Sequence, residues 1–351
     1  MNPDSAVEPL SYTPEEAAAA LGPEWTATLE KAYRWMALGR AFDARMQGLQ
    51  RQGRIGFYGA ATGQEAVNVA AGLASTSDDW VFPGLREQLV ALVRGLPLEE
   101  YAHSIFGDAL DPARGRQMPC HPTARPAHYV SMSSVIGTQI SQAVGFAYAL
   151  RHRRERGVVL AFFGDGATSS NDFHAGLNFA AVFVLPVVFC CANNQWAISV
   201  PAERQTAAAS FAAKAPAYGL EGRQLDGTDF FAVYRELSRA LRSARAGGGP
   251  VLLELRTYRL TPHSSSDDPR RYQPAGWAEE GARRDPVARL EAWMQAHDLL
   301  PADRRAKIAA AADTTVRAAV RAAEEAPPPA PETLTEDVYA SRSSGPAEGT
   351  E

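Results

Sequence analysis

Cysteine is scarce: Cys120, Cys190 and Cys191 are the only three in 351 residues. That is too few for a disulfide framework. Two of them are neighbours at the end of an apolar run, where they read as small core residues in a reducing compartment. Long hydrophobic runs are missing as well, none approaching the roughly 18 residues of a membrane span. The opening stretch MNPDSAVEPLSYTPEE is acidic and has no apolar core, so it reads as neither a secretory signal nor an Arg-rich transit peptide. Basic residues are not in excess: 35 Lys and Arg against 40 Asp and Glu leave a net charge of −5. Nucleic acid and polybasic membrane attachment are therefore not expected partners. No internal repeat is found, and no Pro- or Gly-rich linker divides the chain before residue 326. The expectation from these absences is a soluble cytoplasmic protein.

What is present is core-forming material, 46% hydrophobic by composition, enough for one large α/β domain. Residues 1–22 read as a mobile arm ending in a short Ala-rich helix that Thr13 can cap. The domain spans 23–326, and 327–351 are a Pro-rich linker and tail. Leu29, Tyr33, Met36, Phe42, Met46 and Leu49 recur at helical spacing, predicting a helix from about Trp25 to Gln52. Further helices are predicted from near Gln64, from Gly84-Leu85-Arg86, over LEEYAHSIF after Pro97, through Leu150, and over Asp229–Arg245, Arg283–Asp298 and Ala302–Glu325. Residues 108–130 form a polar loop long enough to suggest a functional role. Val251–Tyr258 reads as a strand, and Arg259–Tyr272 as a loop.

The most informative stretch is Val158–Pro201. Two continuous apolar runs, Val158–Phe163 and Val187–Cys191, flank a helix-length segment, the pattern of a parallel βαβ unit buried on both faces. Ligands of such units sit at the carboxyl ends of the strands. Gly164-Asp165-Gly166 follows the first run, and Asn193-Asn194 follows the second. A carboxylate and an amide oxygen brought together there suit a hard cation such as Mg²⁺. A helix starting near Ala167 would add its dipole and free N–H groups for a phosphate. Taken alone, Gly-Asp-Gly reads as a strand-to-helix turn in which glycines supply positive φ and Asp165 caps the helix. The spacing is not that of a dinucleotide fingerprint, and no Gly-Lys-Ser/Thr follows to make a P-loop.

Gly164-Asp165-Gly166 with Asn193-Asn194 resembles the thiamine diphosphate motif. Several further segments match in order: RQGRIGFYG (51–59), GRQMPCH (115–121), SSVIGTQ (133–139), DFHAGLNFAA (172–181), YRLTPHSSSDDPRRY (258–272) and LTEDVY (334–339). Over roughly residues 30–340 the chain is similar to the alpha subunits of 2-oxo acid dehydrogenase decarboxylase components, most of all the branched-chain type. The resemblance implies the diphosphate-binding half of the thiamine diphosphate fold, a parallel sheet flanked by helices, with helical N- and C-terminal extensions. It implies Mg²⁺ ligation by Asp165, Asn194 and the carbonyl of Trp196, with Gly164 in the same motif. Backbone N–H groups of Gly166 and Ala167 would lie near the diphosphate, Arg86 would pair with a phosphate, and Ser134 and Ile136 would contact the aminopyrimidine. His263 would face the reaction centre as the catalytic residue. Ser133, Thr138 and Gln139 resemble a potassium site, while Ser264 aligns with a serine that a kinase modifies in animal relatives.

Two positions depart from the family pattern. Leu85 stands where relatives carry a phosphate-contacting Tyr, and Ala192 where branched-chain relatives often carry a second phosphate-binding Arg. Charged hydrogen bonds contribute roughly 1.5–3 kcal/mol each, so weak and strongly Mg²⁺-dependent cofactor binding is expected. The resemblance also implies a beta subunit that supplies the activating glutamate, in a complex of two alpha and two beta chains, and acyl transfer to a lipoyl-bearing acyltransferase core. Asp267-Asp268 read as loop-ordering residues rather than that acid. The 2-oxo acid substrate is branched-chain on this reading, with pyruvate or acetoin dehydrogenase as the alternative enzyme and an inactive diphosphate-binding scaffold as the non-enzymatic one.

Overall fold

The computed structural model describes residues 7–264 and 266–336. In chain order its strands are β1 (Trp80–Phe82), β2 (Val159–Gly164), β3 (Val187–Asn193), a hairpin of β4 (Trp196–Ala197) and β5 (Val200–Pro201), then β6 (Glu221–Asp226) and β7 (Val251–Arg256). The main sheet runs β1-β2-β3-β7-β6 with every neighbouring pair parallel. Parallel neighbours require crossovers, and Asn171–Val182 joins β2 to β3 while Phe230–Arg245 joins β6 to β7.

Side chains of a strand alternate between faces, and here both faces are apolar. Leu160, Phe162, Val188 and Leu253 enter one buried cluster, whereas Val159, Phe163, Phe189 and Leu252 enter the other. Helices Trp25–Arg51, Glu65–Ala74 and Phe230–Arg245 cover the first face, and Thr138–Arg153 and Asn171–Val182 the second. Each fully buried Phe contributes about 1.5–3 kcal/mol relative to exposure, which is why continuous apolar runs make the central strands. All three cysteines are buried free thiols. No helix among the described residues is long and apolar enough to cross a membrane.

Several boundaries differ from the sequence expectation. A helix does not start at Ala167: Asp165–Ser169 is a single 3-10 turn, and the α-helix begins at Asn171. Ser170 is the reason, because its extended backbone breaks the run and its Oγ accepts from Phe173 N. The helix expected over Arg283–Asp298 is two, Trp277–Arg283 and Pro286–Ala296. Pro286 has no N–H to donate and restricts Asp285, which instead caps Val287 and Ala288. The helix after Gly84 begins only at Gln88, which leaves Arg86 in a loop.

The described part of the N-terminal arm is packed. Thr13 and Glu16 form a capping box, Leu10, Ala17 and Leu21 are buried, and Tyr12 Oη donates to Asp229 Oδ2 at 3.0 Å. Pro327 O accepts from Ala109 N at 2.9 Å, tying the Pro-rich segment to the long polar loop. The tail from Ser341 lies outside the described residues, as do Asp337, Val338 and Tyr339 of LTEDVY and Ser265 of the HSSSDD run.

Candidate cofactor site at the strand ends

Four neighbouring strands of the sheet deliver polar residues beyond their carboxyl ends: Arg86 after β1, Asp165 after β2, Asn194 after β3 and His263 after β7. Register brings the middle pair together, since Gly164 pairs with Ala192. The β4 segment then folds over the 165–169 turn, where a Cβ on Gly166 would stand 2.9 Å from Ala197 Cβ. Gly166 is thus required by close approach and not by a left-handed backbone; neither it nor Gly164 has positive φ. Gly164 has open space where its side chain would be. The positive-φ turn expected for Gly-Asp-Gly occurs further on, at Gln195 (φ +71).

Asp165 is 1% exposed. Burial raises its carboxyl above the usual carboxylate range, offset in part by the Gln205 amide, whose Nε2 donates to Oδ2 at 2.6 Å. The two asparagines have different tasks. Asn193 is internal, donating to Glu254 Oε1 at 2.7 Å and accepting from Gln195 N, whereas Asn194 Oδ1 accepts only a long 3.3 Å bond from Trp196 N. The Trp196 carbonyl accepts from Arg259 Nη1 at 3.4 Å. Carboxylate, amide oxygen and main-chain carbonyl are a hard oxygen set suited to Mg²⁺. Among the described residues no cluster of three or more His, Cys, Asp and Glu could hold a metal by itself. An ion on these three oxygens would take its remaining ligands from water or a bound group.

Beside them lie buried cations. Arg86, 5% exposed, donates to the carbonyls of Ala60 and His263 and has no carboxylate ion pair among the described residues. Burial and then Arg259 pull its pKa down to about 10. Arg259 is 2% exposed and donates to Ile198 O and Tyr272 Oη, with its Nε buried and partnerless among the described residues. Two guanidiniums held this way suit an anion with several oxygens. The loop carrying His263 is held by Asp267, whose Oδ2 accepts from His263 N at 2.7 Å and Tyr272 Oη at 2.6 Å. Asp268 pairs with Arg270 at the surface. Asp268 Oδ1 also accepts from Arg270 N and caps the 3-10 turn Pro269–Arg271, so both aspartates hold the loop.

His263 Nδ1 faces Arg86 Nη2 at 3.5 Å, which gives it the acceptor role and leaves the proton on Nε2. Burial first, then Arg86 and Arg259, lower its pKa from 6.5 to about 4. It is neutral at pH 7. Because the folded pKa lies below the unfolded one, the unfolded chain takes up the proton first as pH falls. This contribution to stability is complete above about pH 6.5 and is lost progressively toward pH 4. An NMR titration of the His263 ring should give a midpoint near 4, and His263→Asn should lose that share of acid sensitivity. A midpoint near the ordinary histidine value would remove the buried-cation account.

The 133–139 segment abuts the same turn, for Gly137 packs on Ser170 and Gln139 Nε2 donates to Phe162 O at 2.9 Å. Ser134 is exposed and its Oγ bonds His121 Nε2, while Ile136 is 66% exposed. Ser133 Oγ accepts from Val135 N, and Gln139 Oε1 is buried without a partner among the described residues. Leu85 packs near Gly59, and buried Ala192 sits in the β3 ladder. A cleft of 820 Å³ adjoins Trp196 and is lined by Arg204, Arg256 and Trp277, but by none of Asp165, Arg86 and His263.

Three residues of the site are given no role by the sequence. Arg259 falls in a stretch that reads as loop; its signals are that Thr257-Tyr258-Arg259 directly continues an apolar strand and that it stands in the family-like segment 258–272, which assigns it no role. His121 closes the family-like segment GRQMPCH of the long polar loop, but that resemblance assigns it no role. Gln205 carries no signal, because a lone Gln in an irregular stretch has no period.

The family described as Dehydrogenase E1 component matches residues 33–332. The chain is 42% identical over 293 residues to 3-methyl-2-oxobutanoate dehydrogenase subunit alpha of Mycobacterium tuberculosis, covering 80% of this chain and 77% of that one. It is 38% identical over 310 residues to the mitochondrial 2-oxoisovalerate dehydrogenase subunit alpha of Homo sapiens, covering 88% and 70%. Against 2-oxoisovalerate dehydrogenase subunit alpha 2 of Arabidopsis thaliana the identity is 38% over 314 residues, covering 88% of this chain but only 66% of that relative. The chain thus spans just under two thirds of the Arabidopsis protein. A match that takes in every strand of the sheet and all four strand-end groups makes this chain a member of the dehydrogenase E1 component family.

Proposed function

We propose that this chain is the alpha subunit of a branched-chain 2-oxo acid dehydrogenase, and that its strand-end site holds the diphosphate of thiamine diphosphate through Mg²⁺. One observation carries the reading: the buried Arg259 guanidinium acts electrostatically on both the buried Arg86 guanidinium and the buried Asp165 carboxylate, which puts the three at one site. The guanidiniums call for an anion and the carboxylate, with two further oxygens, for a cation. A metal diphosphate satisfies both. The relatives named above support the branched-chain substrate over pyruvate or acetoin.

Asp165, Asn194 and the Trp196 carbonyl would ligate Mg²⁺, and Arg86 with the N–H groups of Gly166 and Ala167 would hold the diphosphate. Ser134 and Ile136 would border the aminopyrimidine. When bound, thiamine diphosphate supplies a carbanion and an electron sink for decarboxylation. His263, neutral and protonated on Nε2, would donate a hydrogen bond to the substrate carboxylate or acyl oxygen. Such positioned groups typically contribute about 10²–10⁴-fold to rate. Gln139 Oε1, buried and unpartnered among the described residues, supports potassium at Ser133, Thr138 and Gln139.

Among the described residues there is no spare carboxylate beside His263. Asp267 is committed to Tyr272 and the His263 N–H, and Asp268 to Arg270. The activating acid would come from a beta subunit, in a complex of two alpha and two beta chains that delivers the acyl group to a lipoyl acyltransferase core. Co-expression with a beta chain tests this. The pair should decarboxylate 3-methyl-2-oxobutanoate faster than pyruvate, and the alpha chain alone should be inactive. Full activity from the alpha chain alone would sink the two-chain reading, and a preference for pyruvate would sink the substrate.

A further inference from the structure

Gln205 has no part in the ligand set above, yet it touches that set's only carboxylate. It follows the 3-10 turn Ala202–Arg204, which Ala202 N ties back to Gln195 O. Its Nε2 donates to Asp165 Oδ2 at 2.6 Å and to Val200 O at 3.0 Å. Both partners are acceptors, so the amide orientation is determined: a flip would put oxygen against two oxygens. Both N–H groups are thereby used, and Oε1 is left buried with no partner among the described residues. A desolvated acceptor without a donor is destabilising, and here it stands beside the proposed metal ligand.

We propose that Gln205 is a positioning residue for the metal, holding the Asp165 carboxylate through Nε2 and accepting through Oε1 from a water bound to the ion. The inference rests on the metal-diphosphate reading of the site. Mg²⁺ surrenders its waters reluctantly and keeps several of them, and a metal-bound water is a strong donor. Outer groups that orient ligands in this way commonly change metal affinity by about 10–100-fold when removed. Gln205→Met removes both the donor and the amide oxygen at nearly the same size and without adding charge.

The test is a calorimetric Mg²⁺ titration of the full chain assembled with its beta chain, metal-free at the start and with thiamine diphosphate present. Gln205→Met should weaken Mg²⁺ about 10-fold relative to the unsubstituted chain, with the metal-free melting temperature unchanged. A loss below about threefold, well short of the usual effect of an outer group, overturns the proposal, and so does a loss accompanied by a lower metal-free melting temperature, which marks a merely structural amide. Should Gln205→Met fail to assemble, Gln205→Ala is read in the same way. Asp165→Asn separates the two levels of inference. If it leaves Mg²⁺ affinity intact, the metal reading itself falls; if it weakens binding while Gln205→Met does not, only the role of Gln205 falls.

Discussion

Asp165→Asn is expected to weaken metal-dependent cofactor binding severely while leaving the empty protein at least as stable. The two side chains have nearly the same shape, and the asparagine oxygen can still accept from Gln205 Nε2. What disappears is the charge. Ligand charge count moves divalent-cation affinities over decades, so Mg²⁺-dependent binding should weaken by roughly two orders of magnitude or more. Stability responds the other way. Burial raises the folded pKa of Asp165 above 3.8, so its contribution is fully present at acid pH and is lost as pH rises through that raised value. An uncharged asparagine has no such loss, and the metal-free variant should denature at an equal or higher temperature at neutral pH. Calorimetric titration and thermal melts in a metal chelator read both effects. Unchanged cofactor affinity would remove Asp165 from the site.

Gly63→Ala is expected to damage the fold and the site together. Gly63 has φ +98, and a Cβ there would overlap the Tyr258 carbonyl oxygen. Such an overlap requires one backbone to move, because no side chain can rotate away. Positive φ adds strain of about 1–3 kcal/mol for a non-glycine residue, and overpacking typically adds about another 1–3 kcal/mol. Together they predict roughly 2–6 kcal/mol of destabilisation and, in a chain of this size, a melting temperature lower by about 3–8 °C. Tyr258 directly precedes Arg259, whose guanidinium reaches the carbonyls of Trp196 and Ile198, so the displacement runs straight into the site. Ala60 and Thr62, in the same loop as Gly63, meet Arg86 and the buried Asp43 carboxylate. Cofactor affinity should fall with stability. Gly56→Ala is the control: nothing lies within 4 Å of its would-be Cβ and its φ is not positive. A melting temperature for Gly63→Ala equal to that of Gly56→Ala would refute the steric account.

Both variants show how legibility divides. Asp165 can be named from sequence because a strand-length apolar run, a polar break and a second run constrain where the break falls in space. Gly63 cannot be ranked above Gly56, since both sit in one glycine-rich loop and only the approach of Tyr258 separates them. The helix Trp25–Arg51 is legible from its period, and Ala302–Glu325 from its charged, Ala-rich stretch. The two breaks that periodicity does not show, at Ser170 and at Asp285-Pro286, arise where a local cap outcompetes continuing the helix. β6 is only partly visible, since its residues Glu221–Asp226 carry no buried face and pairing with β7 makes it a strand.

By itself the sequence determined the parallel α/β architecture, the two strand ends that carry Asp165 and Asn194, and the motif that places the chain in its family. Those features are written in local patterns: apolar runs of strand length, turn residues at their ends, and short segments in a fixed order. Only the tertiary structure decided which charges face one another. Gln205 lies 40 positions from Asp165, and Arg259 lies 63 from Trp196. Neither pair shares a helix turn or a strand register, so nothing in the local pattern marks them. They meet because parallel strands bring every carboxyl end to one edge of the sheet, where burial then sets the charge each group carries.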